Sequence, residues 1–194
     1  MIINILYKLI HKIIKSVRKT KYRILSKNHT AKGSGNRVQP ILTNGLGTIS
    51  IDSTVTIGVE NSPCFFNTYC YLEARKSNDS IKIKKNTFIN NNACIIAEGA
   101  KATIEQNVLI GHNFSLFTSD FHDLAINKRI NGIPNSADVL IGKNVFIGSD
   151  VTVLKGVTIG ENSVIGAGSV VVQSIPENVI AAGNPCKIIK KLKV

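Results

Sequence analysis

The side chains in this sequence best suited to chemistry are its histidines, because imidazole can take a proton from a neutral hydroxyl as a bond forms. Four are present, His11, His29, His112 and His122. His122 closes the segment Thr-Ser-Asp-Phe-His at residues 118–122 and is followed by Asp123, so Asp120 or Asp123 could orient its ring, or simply cap the loop. A metal site built on His112 and His122 would need a third ligand. His11 and His29 fall in a distant amino-terminal segment, so no metal is expected. The cysteines, Cys64, Cys70, Cys94 and Cys186, form no Cys-x-x-Cys pair and read as free thiols packed as small hydrophobes in a reducing compartment.

The elements that must position these groups follow from a ruler of six. Aliphatic residues recur at Ile141, Ile147, Val153, Ile159, Ile165 and Val171. A helix would rotate such positions around its axis, and a single strand of this length would be far too long. Three places after each aliphatic stands Asn144, Asp150, Gly156, Asn162 or Gly168, the residue types that accept a left-handed backbone at low cost. Short strands joined by sharp corners result, and three hexapeptides close one triangular coil. The ruler extends backwards through Ile110 with Asn113, Ile104 with Asn107, Ile89 with Asn92 and Ile83 with Asn86. It is broken between Leu116 and Ile141, which predicts an excursion over about residues 117–140. The expected fold is an all-β parallel β-helix of stacked hexapeptide coils over residues 33–175, each coil pairing with its neighbours.

Two flanking segments complete the organisation. Residues 1–32 carry nine Lys or Arg and no acid, which leaves +3 of the net +12 for the remainder. Within residues 1–25 the isoleucines and leucines fall at helical spacing with lysines opposite, an amphipathic basic helix. Its apolar stripe would pack on the body or on partner helices, or lie on the inner membrane at its cytoplasmic face. No aromatic or helix-turn-helix signal accompanies the charge, so nucleic acid is not an expected partner. No segment reads as a spanning helix or a secretory signal, so a cytoplasmic location is expected. Residues 176–194 form a short basic tail with Lys187, Lys190, Lys191 and Lys193.

Residues 141–190, IGKNVFIGSDVTVLKGVTIGENSVIGAGSVVVQSIPENVIAAGNPCKIIK, together with the histidine-bearing excursion, resemble the hexapeptide-repeat O-acetyltransferases. The likeness is to galactoside and maltose acetyltransferases and to enzymes that acetylate capsule or lipopolysaccharide sugars. The resemblance implies a left-handed β-helix and a homotrimer whose grooves between subunits bind acetyl-CoA along the coils and a saccharide acceptor from the other end. It assigns the general base to His122 and an acceptor contact to Asn92, which is also a plain corner of the ruler. Asp120 and Asp123, beside that base in sequence, are expected to contact the acceptor as well. For the coenzyme it carries over Ser149 and Ala167, small residues one full coil apart, and Lys187 and Lys190 near the phosphates. The family's lysine of the final coil is missing, with Val172 and Gln173 in its place.

The expected function is therefore acetyl-CoA-dependent O-acetylation of a sugar hydroxyl on a bacterial surface polysaccharide, sialic acid polymers included, or on its precursor. Two alternatives stand beside it: a sugar-nucleotide N-acetyltransferase of the same fold, and a non-catalytic trimeric scaffold.

Overall fold

The computed structural model describes residues 2–28, 31–33 and 35–193, and His29 lies outside the described residues. A helix, Ile2–Leu25, precedes short strands that turn from one face of a prism to the next. The three faces are sheets of eight, six and five strands. Successive coils pair in parallel: Ile141 with Ile159, Ile147 with Ile165 and Val153 with Val171, each pair separated by three hexapeptides. Their side chains are wholly buried and form the central column that burial of apolar surface stabilises. The chain is a left-handed parallel β-helix with one amino-terminal helix.

All nine corners named from the sequence have positive φ, from 57° to 75°. They also tie coils together. Asn92 donates to Asn113 (2.8 Å) and Asn113 to Asp150 (2.8 Å), while Asn144 donates to Asn162 (2.9 Å) and Asn162 to Asn178 (2.8 Å). Asn178, at φ 57°, is a further corner that the ruler did not mark. The coil itself runs past residue 175, because Val179–Ala182 pairs in parallel with the strand Val164–Ile165 before the chain reverses. The basic tail is then an exposed antiparallel edge strand, Lys187–Lys191.

Two irregular segments leave the prism, each at a different edge. Residues 58–69 bridge the eight- and six-stranded sheets, between Thr56–Ile57 and Cys70–Ala74. Residues 118–138 bridge the six- and five-stranded sheets, between Ser115–Phe117 and Val139–Ile141, as an arm.

Candidate active site

The arm is anchored at its root. Thr118 is fully buried, its hydroxyl accepting from the Glu98 N–H (2.8 Å) and donating to the Glu98 carbonyl (3.2 Å). The two limbs meet where the Asp120 N–H donates to the Asn135 carbonyl (3.0 Å) and the Ala137 N–H to the Thr118 carbonyl (2.9 Å). Phe121 then adopts φ 60°, a conformation unfavourable for an aromatic residue unless its surroundings hold it. They do so here. The Phe121 ring meets Phe117 edge-on at 5.6 Å and lies beneath the Arg75 guanidinium, 5.0 Å from the ring centroid. Arg75 is gripped by Glu98 at 2.8 Å and Glu73 at 3.2 Å, both carboxylates largely buried. This ion cluster and its aromatic lid fix the backbone from which His122 projects.

His122 itself is exposed, with Nδ1 2.9 Å from the Arg129 carbonyl oxygen. A carbonyl can only accept, so Nδ1 carries the hydrogen and the Nε2 lone pair is left to take a proton. The ring's orienting partner is thus the main chain of the arm. The neighbouring carboxylates are otherwise engaged: Asp123 accepts from the Ala125 N–H (2.9 Å), and Asp120 pairs with Lys155 (3.3 Å) while its Oδ2 is buried without a hydrogen-bond partner.

The remaining candidates gather on a different edge, between the eight- and six-stranded sheets. Ser149 and Ala167 are stacked, since the Gly168 N–H donates to the Ser149 carbonyl (2.9 Å) and a Cβ on Gly148 would come within 2.6 Å of the Ala167 nitrogen. Above Ala167, Ala182 closes on Gly166, and Ala182 pairs with Lys187 on the edge strand. The result is a smooth strip of small residues, exposed at Ala167 and Gly168, that ends among lysines. The strip runs up to Lys187, and Lys190 lies opposite Ile180 on the same strand. At the lower end of this edge, Asn92 joins Tyr69, Tyr71, Cys94 and Ile96 around a cavity of about 380 Å³. The Asn92 amide is spent on Asn113, and its N–H donates to Gln39 Oε1 (3.0 Å). Burial, with the Glu73 carboxylate adding to it, pushes the Cys94 thiol up to about 11, so it stays a neutral thiol there.

One chain therefore brings Asp120, His122 and Asp123 together on the arm, and Asn92, Ser149, Ala167 and Lys187 together on another edge, without joining the two sets. His112 lies on the second edge, 3.9 Å from Asp150. Among the described residues no group of three potential ligands could hold a metal ion. The Arg129 carbonyl and the Arg75–Phe121 support were not singled out from the sequence.

Residues 138–173 match the family described as bacterial transferase hexapeptide (six repeats). A protein of Saccharomyces cerevisiae named as an acetyltransferase is 35% identical over 180 residues, 93% of this chain and 84% of that one. A solved galactoside acetyltransferase in complex with coenzyme A is 34% identical, with a TM-score of 0.54 over 79% of this chain and 66% of that one. The solved acetyltransferase NeuO, specific for polysialic acid, is 26% identical, with a TM-score of 0.54 over 87% of each chain. A β-helix with histidine-bearing arm and small-residue edge, similar to a named acetyltransferase along nearly its whole length, belongs to the hexapeptide-repeat acetyltransferases.

Proposed function

We propose that this chain transfers the acetyl group of acetyl-CoA to a sugar hydroxyl of a bacterial surface polysaccharide or its precursor, in the cytoplasm, with His122 as general base. The observation that carries the reading is the imidazole itself, exposed on a braced arm with Nδ1 tied to a carbonyl and Nε2 free. Acetyl-CoA supplies an acyl group activated as a thioester. His122 Nε2 takes the hydroxyl proton as the acceptor oxygen bonds to the acetyl carbon, and returns it to the departing thiolate as the carbon–sulfur bond breaks. No covalent acyl-enzyme is needed when both substrates are held side by side. The saccharide class is supported by the galactoside and polysialic acid specificities in the names of the two solved relatives.

A homotrimer accounts for the separation of the two residue sets, because the arm of one subunit can face the small-residue edge of the next. The test is release of thiol from acetyl-CoA against a panel of capsular and lipopolysaccharide saccharides, sialic acid polymers and amino-sugar nucleotides. Turnover on polymers or their hydroxylated precursors is the expected result. Turnover confined to amino-sugar nucleotides would move the chemistry to nitrogen, and absence of coenzyme A binding would leave a scaffold.

Two variants probe the parts separately. Lys187→Gln with Lys190→Gln is expected to raise KM for acetyl-CoA roughly fivefold to tenfold with kcat little changed, as for exposed lysine–phosphate pairs. Arg75→Gln removes the cation over Phe121 and is expected to lower kcat roughly tenfold with KM for acetyl-CoA unchanged, since misplacing a base costs rate rather than coenzyme affinity.

A further inference from the structure

The amino-terminal helix docks on the body by its polar edge. His11 faces Glu60 at 3.4 Å, Lys15 pairs with the same carboxylate, Arg18 donates to the Phe65 carbonyl (2.6 Å) and to that of Thr68, and Tyr22 stacks on Tyr69 at 4.4 Å. These four residues form one stripe at helical period and are the ones the body shelters. The opposite stripe is apolar and uncovered: Leu6, Leu9, Ile10, Ile13, Val17 and Ile24 are 47–74% exposed. Exposed Lys8, Lys12, Lys19 and Arg23 line one border of that stripe and Lys21 the other, and the helix holds no acid. Lys19 and Arg23 also converge with Arg37 on a cavity of about 450 Å³ between helix and first coil, with no acid among its described lining residues.

We infer that this helix is an in-plane anchor for an anionic lipid bilayer. An apolar stripe of this kind, presented outward and bordered by cations, inserts at the boundary between headgroups and acyl chains, while the bordering lysines meet lipid phosphates. A second copy of the chain is a poorer occupant, because it would set one acid-free helix against another, cation to cation. No helix among the described residues is long and apolar enough to cross a membrane, so the contact is interfacial. The helix rests on residues 59–69, whose Thr68 and Tyr69 also line the Asn92 cavity. The bilayer would thus lie close to the lower end of the candidate site.

Flotation of the full-length protein with vesicles tests this, and it involves no acetyl transfer, so its failure leaves the transferase reading untouched. Vesicles of phosphatidylcholine with about 30% phosphatidylglycerol should bind the protein at least tenfold more tightly than phosphatidylcholine alone, at about fivefold per basic residue near the surface. Ile10→Glu with Ile13→Glu should abolish binding with an unchanged circular dichroism spectrum and unchanged sedimentation mass. Lys8→Gln with Lys12→Gln, which leaves the apolar stripe intact, should weaken binding to the anionic vesicles and not to the neutral ones. Absence of binding by the unaltered protein, or equal binding to both vesicles, would overturn the inference. A fall in sedimentation mass on Ile10→Glu with Ile13→Glu would overturn it as well, assigning the stripe to a contact between copies.

Discussion

Replacing His122 with alanine is expected to lower kcat for acetyl transfer about 10²- to 10⁴-fold, the usual contribution of a positioned general base. Coenzyme A affinity and thermal stability should be close to unchanged, because the imidazole is exposed and its one hydrogen bond is to a loop carbonyl. The distinctive part of the expectation concerns Arg129. Its carbonyl oxygen, and not its guanidinium, fixes the tautomer, so Arg129→Ala should retain nearly full kcat although the residue touches the imidazole. Initial rates of thiol release for the two variants, with coenzyme A binding measured by calorimetry, make the comparison. Equal rates for His122→Ala and unaltered protein would remove the residue from the mechanism. A large loss in Arg129→Ala would mean that the side chain, and so the charge, takes part.

What could be read from the sequence divides along a physical line. The aliphatic ruler and its corners were legible because each position answers to a purely local demand, a methyl-rich side chain pointing inward or a left-handed φ. The arm was legible as the place where that demand lapses. Contacts between coils were less so, since the lower coils exceed three hexapeptides, with Ile89 paired to Ile110 and Leu72 to Ile95. That irregularity hid the stacking of Arg75 over Phe121. The Arg129 carbonyl left no trace at all, because a main-chain acceptor has no residue type. For the helix, periodicity revealed an apolar stripe but not its direction. That was decided by Glu60 and two main-chain carbonyls on residues 59–69, which offered the polar edge better partners than the coil offered the isoleucines.

Asn91 shows how much a run of identical letters can conceal, and its replacement by alanine is expected to cost about 3 kcal/mol. Of the three consecutive asparagines 90–92, the sequence pattern marks only Asn92, by its place on the ruler. Asn91 is fully buried. Its Oδ1 accepts from the Val59 N–H (3.0 Å), and its Nδ2 faces the carbonyls of Val59 (2.8 Å), Pro63 (2.8 Å) and Ser62 (3.3 Å). One amide thus satisfies a turn that sits against the coil, where an unpaired N–H or carbonyl would be costly. Alanine would leave those groups without a partner and open a small void. Because the same segment seats the helix and borders the Asn92 cavity, the damage should spread: hydrogen exchange should accelerate across residues 2–25 and 59–69 while the upper coils, residues 141–171, keep their protection. Asn91→Asp separates donor from acceptor. It keeps the Oδ1 acceptor but sets a carboxylate against three carbonyls, which raises that group's pKa in the folded state above its unfolded value. The stability of this variant should therefore be greatest at low pH, where the protonated acid can donate one hydrogen bond, and should be lost as pH rises through the folded-state value. Chemical denaturation of both variants at acid and neutral pH reads the effect. A loss for Asn91→Ala no larger than that for Asn92→Ala, which gives up one coil-to-coil bond and strains a left-handed corner, would show that the turn is held by something other than this amide.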